Sequence, residues 1–125
     1  MRQVVAVGEI GSAPGNLFNP HAVTVDPNTN NIFVTEGEFY LLNPHARISI
    51  FSEKGDYLDS FTHQNVECPH GIAIHGGYVY ITDIGVHAVF CFKKENYYSL
   101  VTKVGTEGTQ IGKFNTPHSL SVSYT

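Results

Sequence analysis

The chain has 125 residues, of which 42% are hydrophobic and 14% charged, which suits one small globular domain and excludes the disordered class. Its net charge is −4, and its seven lysine and arginine residues are scattered, which argues against the clustered positive charge that nucleic-acid binding requires. The apolar runs are far shorter than the roughly 20 residues that cross a bilayer, and the N-terminal residues lack a signal-peptide core. We therefore expect a cytoplasmic protein with no membrane partner.

The two cysteines, Cys68 and Cys91, both stand in apolar stretches. Two cysteines are too few for a disulfide framework. We therefore predict that both are reduced residues of the core.

Short strands are predicted from the N-terminus onward. Residues 1–19 hold one strand, at residues 4–7, and a glycine-rich connection. Residues 20–61 contain four strands, HAVTV, IFVTE, RISIF and YLDSF, separated by turn sequences such as DPNTNN and SEKG. Residues 62–68 are predicted to connect this unit to the next.

The second half of the chain repeats that organisation. Residues 69–104 contain PHGIAI, YVYIT, HAVFCF and YYSLVTKV, joined by turns such as GG and KKEN. Residues 105–125 add another glycine-rich connection and a single strand at residues 118–124. No segment has the apolar spacing of a helix over three turns.

The repeat unit is marked by a Pro-His pair followed by a strand. Its prolines, Pro20, Pro69 and Pro117, are 49 and 48 residues apart, a period typical of propellers and solenoids. Four antiparallel strands per period predict an all-β partial β-propeller, with about two complete four-stranded blades plus flanking single strands. Since propellers close with typically four to eight blades, we expect a fragment whose exposed blade faces favour association.

The order PHGIAI, YVYITD and HAVFCF, with ARISIFSEKGDYLDSF before it, resembles NHL repeats. The glycine-rich lead-in of that family is matched by Gly105, Gly108, Gly112 and Phe114, while Ser119 replaces the usual glycine. Within the family, the blades are most similar to the C-terminal NHL propeller of animal tripartite-motif-like proteins. In those proteins a RING finger and B-boxes far upstream transfer ubiquitin, and the propeller recognises protein or RNA.

The resemblance implies a non-enzymatic recognition or scaffold module that binds a protein partner. Such a module forms the substrate-recognition part of a RING-type ubiquitin ligase and has no catalytic residues or cofactor of its own. Ligase activity would belong to other domains of the parent protein. A second alternative, an RNA-binding NHL propeller, receives little support from an acidic chain.

Three histidines, His21, His70 and His118, occupy the same repeat position at the start of the innermost strand. If they converge at the channel mouth, they suit zinc, which binds imidazole nitrogen at roughly 2.0 to 2.1 Å. A weaker resemblance, to the peptide-amidating lyase propeller, places zinc-binding histidines in a PHG and a PHS motif, here His70 and His118. The alternative function is therefore a zinc-dependent peptidylamidoglycolate lyase-like propeller. The other interpretation is a histidine that hydrogen-bonds the backbone at a strand start.

An acid ends the second strand of each predicted blade, and a base stands near the start of the third. The pairs are Glu36 with Arg47 and Asp83 with His87. The simplest interpretation is a cross-strand polar pair that holds the loop, and the alternative is a catalytic acid and base. Arg47 and His87 are also candidate binding residues.

The loop of residues 37–46 is six residues longer than its counterpart in the next predicted blade. It carries four consecutive aromatic and apolar residues, Phe39, Tyr40, Leu41 and Leu42. Exposed clusters of this kind often mark partner sites, so we predict that these residues bind a protein. The alternatives are that the loop folds back on a neighbouring blade or extends the strands into a longer hairpin.

Overall fold

The computed structural model describes residues 14–17, 19–37 and 46–105. These residues form eight strands and one helical turn, arranged as two four-stranded antiparallel sheets, neither of which closes on itself. The all-β prediction is therefore confirmed. The single strands predicted at residues 4–7 and 118–124 lie outside the described residues.

The first sheet has its strands in chain order. They are β1 (Pro20–Val25), β2 (Ile32–Glu36), β3 (Arg47–Phe51) and β4 (Tyr57–Phe61). Each is rich in β-branched or aromatic residues, which favour the pleated conformation. The two tight turns use residues that tolerate a left-handed backbone, Asn30 with φ 62° and Gly55 with φ 97°.

The second sheet repeats this order. Its strands are β5 (Pro69–His75), β6 (Tyr78–Asp83), β7 (Ala88–Lys93) and β8 (Ser99–Val104). Between β5 and β6 the chain turns at Gly76 and Gly77, with φ of 58° and 83°. Positive φ at both central residues is the requirement of a two-residue hairpin turn, so the predicted GG turn is confirmed.

The connection from β7 to β8 differs from the prediction. The predicted strand YYSLVTKV begins at Tyr97, whereas the structure places Tyr97 and Tyr98 in a single helical turn, α1 (Glu95–Tyr98). Both tyrosines have positive φ, 59° and 56°, and the Tyr98 ring stacks on Phe61 of the first sheet with centroids 4.3 Å apart. This contact between the sheets overrides the β propensity of tyrosine. Among the described residues, no helix has the length and apolar character to cross a membrane.

The two sheets pack through opposite faces. We call the face that carries Phe33 and, at the equivalent register position, Tyr80 the front face. The face that carries Val34 and its equivalent Ile81 is the back face, because successive side chains of a strand point to opposite sides. The core lies between the front face of the first sheet and the back face of the second, formed by Phe33, Ile48, Ile50, Phe61, Ile72, Ile74, Val79, Ile81, Phe90 and Phe92.

An ion pair joins the two sheets at the edge that carries the tight turns. The Lys94 ammonium, next to α1, donates to the buried Asp26 carboxylate, which follows β1. Burial favours the neutral acid, but the hydrogen bonds from Lys94 and from the Asn28 backbone outweigh it, so the pKa of Asp26 lies below its ordinary value. The pair fixes the front-to-back packing with a charged contact.

Candidate functional site at one edge of the sheets

The residues singled out from the sequence meet at one edge of the two sheets. Because both sheets are antiparallel with strands in chain order, the starts of the odd-numbered strands lie beside the ends of the even-numbered ones. This arrangement brings together His21, Glu36, Arg47, His70 and Asp83, and we call their location the histidine edge.

Two of the three predicted metal ligands lie side by side. The rings of His21 and His70 are stacked, with centroids 4.8 Å apart and planes at 29°. A shared metal would have to lie in both ring planes, and rings that face each other in this way have no such point close to their nitrogen atoms. The Nε2–H of His21 donates to the Gly37 carbonyl at 2.6 Å, which is the backbone role that the alternative interpretation predicted. His118 lies outside the described residues.

A threonine at the end of the second strand explains how each Pro-His strand begins. The register between β1 and β2 shifts between Pro20 and Ala22, and such a bulge leaves a backbone N–H without a ladder partner. The Thr35 hydroxyl accepts the Ala22 N–H at 3.0 Å and donates to the His70 carbonyl of the second sheet at 2.8 Å. Thr35 therefore holds the backbone of His70 and that of Ala22, the residue next to His21.

The acid at the end of β2 forms the predicted cross-strand pair. Arg47 donates from Nε and Nη2 to the two carboxylate oxygens of Glu36, at 3.0 and 3.1 Å. The Ser49 hydroxyl donates to the same carboxylate, and a further Arg47 N–H reaches the Asn16 carbonyl at 2.6 Å. Glu36 is fully buried and the Arg47 side chain is 13% exposed. The sequence made Arg47 a candidate for binding a partner. Its guanidinium already forms these contacts within the chain.

The acid at the end of β6 has different partners. Asp83 accepts backbone N–H groups from Glu67, Cys68, Gly85 and Val86 at 2.8 to 3.2 Å. A carboxylate that accepts several amide hydrogens ties down the loops around it.

The short loop after Asp83 depends on a close approach of its backbone. A Cβ on Gly85 would lie 2.8 Å from the Cβ of Glu67, so only glycine fits there. His87, the last residue before β7, has a positive φ of 54°. The Asp83 carboxylate, which was predicted to face His87, therefore binds backbone amides of the surrounding loops.

The thiol nearest to this edge is inert. Burial, and then the negative charges of Asp83 and Glu67, raise the pKa of Cys68 to about 11. The thiolate is the nucleophilic form of cysteine, so Cys68 stays protonated at neutral pH. Both cysteines are buried and reduced, as predicted.

The long loop leaves this edge from two fixed stems. At its start, the Gly37 N–H donates to Asn19 at 3.3 Å, and the Gly37 carbonyl accepts from His21. At its end, the carbonyl of buried Ala46 accepts from the Thr62 hydroxyl at 2.6 Å. The predicted binding residues of the loop lie outside the described residues, namely Phe39, Tyr40, Leu41 and Leu42.

The sequence interpretation did not anticipate several hydroxyl groups that hold this edge. The hydroxyl of Thr35 donates to the His70 carbonyl, that of Ser49 to the Glu36 carboxylate, and that of Thr62 to the Ala46 carbonyl. A pattern of apolar residues predicts none of these contacts. A signal was present for the first of them, because IFVTE and YVYITD place threonine before the acid in both repeats. No three metal-binding side chains cluster anywhere in the part of the chain that the structure describes.

Comparison with known proteins adds no family to this geometry, since the chain matches no family model and no curated protein.

Proposed function

We propose that the chain is a non-enzymatic recognition module, part of an NHL-type β-propeller, which binds a protein partner through the loop of residues 37–46. The observation that carries this proposal is the fixation of both loop stems. Gly37 accepts from His21 of β1 and donates to the Asn19 carbonyl, and Ala46 accepts from Thr62, which follows β4. Stems that are already held do not have to be ordered when a partner binds, so they add little to the entropic cost of binding.

The polar groups of the histidine edge support a structural rather than a catalytic role. Glu36 and Asp83 are buried and engaged by Arg47, Ser49 and backbone amides. A general acid or base must reach a proton of the substrate, and carboxylates enclosed in this way are poorly placed to do so. The protonated thiol of Cys68 adds no nucleophile.

The packing of the sheets supports the propeller part of the proposal. Blades of a propeller repeat around an axis, so each presents its front to the back of the next. In this manner Phe33, on the front face of the first sheet, and Ile81, on the back face of the second, share one core, whereas Val34, the equivalent of Ile81, lies on the far face of the first sheet. On the resemblance to tripartite-motif-like proteins, the module serves as the substrate-recognition end of a RING-type ubiquitin ligase.

Binding experiments with loop variants test this function. Proteins enriched on the wild-type chain are quantified against the double variant Phe39→Ser/Tyr40→Ser, and the affinity of any specific partner is then measured by titration. Loss of two aromatic anchors is expected to weaken binding by at least roughly a hundredfold. The matched control is Tyr97→Ser, which removes a 96% exposed aromatic ring at the opposite edge and is expected to leave binding unchanged. Equal losses in both variants would argue against the loop.

The zinc-dependent lyase-like alternative rests on the proximity of His21 and His70. Their stacking would have to open before both rings could bind one ion. Zinc titration by calorimetry, on wild type and on His70→Ala and His118→Ala, separates the two functions. The recognition proposal predicts no binding at micromolar zinc, whereas one equivalent that disappears in both variants would establish the metal site.

A further inference from the structure

We propose that the front face of the second sheet is the docking surface of the chain's own C-terminal segment, residues 117–124, which lies outside the described residues. In this arrangement the segment covers the second sheet as β5 covers the front face of the first. The inference rests on burial among the described residues and on the Pro-His repeat. It does not rest on the proposed function.

The centre of this front face is buried, although none of the described strands packs on it. Thr82 on β6 is 2% exposed, and Cys91 on β7 is 6% exposed. The first sheet does not cover these two residues, because it packs on the opposite face, around Ile81. In the middle of an uncovered sheet face, a side chain projects into solvent. A part of the chain outside the described residues therefore covers Thr82 and Cys91.

The cover does not extend to the last strand of the second sheet. Val104 on β8 is 52% exposed, whereas its register equivalent on β4, Phe61, is buried. The second sheet covers Phe61 with the rings of Phe92 and Tyr98. The cover over the second sheet is therefore narrower than a whole sheet, and a single strand fits it.

The positions of the two ends of the described chain select the C-terminal segment. Residues 14–17 run along the back face of the first sheet, where the Asn16 carbonyl accepts from Arg47. The N-terminal end is thus next to the far side of the first sheet. Residues 106–125 instead follow β8 almost directly, and β8 ends on the second sheet, at the histidine edge.

The connection is long enough to bring the segment onto this face. Residues 105–116 separate β8 from the segment, and when extended they span up to roughly 40 Å. A sheet of four strands is only roughly 15 Å across from its first strand to its last. The segment can therefore return from the outer strand to the inner strands of the second sheet.

The sequence of the segment has the apolar side that such docking requires. By the Pro-His repeat, Leu120 and Val122 are equivalent to Ile72 and Ile74 of β5, which are buried in the core against the first sheet. Serine stands on both sides of Leu120 and of Val122, so the segment alternates between apolar and polar side chains. Leu120 and Val122 therefore pack on the second sheet, and the serines point away from it.

A buried hydroxyl marks where the segment begins. The Thr82 hydroxyl accepts the Gly71 N–H at 2.8 Å. Its equivalent in the first sheet, the Thr35 hydroxyl, also donates across the interface to the His70 carbonyl at 2.8 Å. By the repeat, the corresponding acceptor for Thr82 is the carbonyl of His118. This bond gives a partner to the hydrogen of a hydroxyl that is almost completely buried.

Thiol labelling of the full chain tests the docking, because one cysteine lies on the covered face and the other does not. Labelling with iodoacetamide, followed by mass spectrometry of the peptides, reports Cys91 and Cys68 separately. Cys68 is buried at the histidine edge, where its N–H donates to Asp83, so it reports unfolding of the whole chain. In the folded wild type, both thiols are expected to react slowly.

Two matched double variants separate the two sides of the segment. Leu120→Asp/Val122→Asp places charges on the docking side and is expected to speed the labelling of Cys91 at least roughly tenfold, because the segment opens locally. The other cysteine should react as slowly as in the wild type. Ser119→Asp/Ser121→Asp adds the same charges on the opposite side and should leave both labelling rates unchanged.

Three results would overturn the inference. The first is a wild type whose Cys91 reacts as fast as in the urea-denatured chain, because nothing would then cover it. The second is a rate that neither double variant changes. The third is an equal acceleration of Cys91 by both variants, because the side of the segment would then not matter.

A milder variant decides the question if the aspartate substitutions unfold the chain, which faster labelling of Cys68 would reveal. Leu120→Ala/Val122→Ala removes apolar contacts without adding charge. Faster labelling of Cys91 alone is then the expected result, and any other result in this variant overturns the inference.

Discussion

The two sheets place an acid at the same position and use it differently. At the end of β2, Glu36 reaches across to Arg47 on β3 and to Ser49. At the end of β6, the shorter Asp83 turns to backbone amides of the loops on either side of it. The loops account for the difference, because ten residues join β2 to β3 and only four join β6 to β7. A tight loop brings its amides to the acid, whereas a long loop requires side-chain partners.

The two sheets also differ in the residues that take a left-handed backbone in the last turn of each sheet, at the opposite edge. The first sheet turns between β3 and β4 with Gly55 in a left-handed conformation, φ 97°. The second sheet places two tyrosines, Tyr97 and Tyr98, in that region between β7 and β8. A left-handed backbone costs a non-glycine residue roughly 1–2 kcal/mol. Tyr98 offsets this cost by stacking on Phe61, but Tyr97 is almost fully exposed.

The largest effect is expected from removing the acid of the first sheet. Glu36→Ala leaves the Arg47 guanidinium without its buried carboxylate and should lower the free energy of unfolding by about 3–5 kcal/mol. Urea denaturation followed by circular dichroism measures this loss. The double variant Glu36→Leu/Arg47→Leu should recover much of it, because it removes both charges. A loss below about 1 kcal/mol would show that the pair behaves as an exposed one.

Removing the charge of the second acid is expected to cost less. Asp83→Asn keeps one oxygen that can accept backbone N–H groups but turns an NH₂ group towards the remaining donors. We expect a loss of about 1–3 kcal/mol in the same denaturation experiment. The comparison between the sheets predicts in addition that amide exchange of Gly85 and Val86 accelerates in this variant. Unchanged exchange would contradict the role of Asp83 as an organiser of the short loop.

The ion pair between the sheets predicts a loss of stability in acid. The folded-state pKa of Asp26 lies below its ordinary value near 3.8, so its contribution is fully present above that value and disappears as the pH falls through the folded pKa. Denaturation midpoints measured from pH 6 down to pH 2 should fall more steeply for the wild type than for Asp26→Asn. Parallel curves would mean that the Lys94 contact adds nothing to stability.

The smallest effect is expected at the exposed left-handed tyrosine, and it has the opposite sign. Tyr97→Asn introduces a residue that tolerates positive φ, and should raise the free energy of unfolding by ~0.5–1 kcal/mol. Tyr98→Asn is the matched control, since it has a similar φ but removes a ring stacked on Phe61, and it should destabilise. Thermal melts of the two variants separate backbone strain from packing.

Much of the fold could be predicted because its signals are local. Alternating apolar residues and turn residues located IFVTE, RISIF and YLDSF at the bounds that the strands have. The Glu36–Arg47 pair followed from the same register. Contacts made across long stretches of sequence escaped prediction, above all the bond between Asp26 and Lys94, which are 68 residues apart. The start of β8 was misplaced for the same reason, because a stack on Phe61 decides it.

The candidate site was predictable in location but not in detail. The Pro-His repeat, the acid at each strand end and the base after the loop marked one edge of the sheets. The structure places His21, Glu36, Arg47, His70 and Asp83 at that edge. The partners of Asp83 are backbone groups, which no side-chain pattern reveals. Hydroxyl groups such as that of Thr35 act through geometry that only the bulge in the strand creates.

The central claim is that the aromatic residues of the loop bind a partner and do not stabilise the fold. The thermal melt of Phe39→Ser/Tyr40→Ser, compared with that of the wild type, tests this claim most directly. A partner-binding loop contributes little to the core, so the melting temperature should change by less than about 3 °C. A drop of more than roughly 10 °C would instead show that these rings pack into the protein as core residues. That result would contradict the recognition role assigned to the loop.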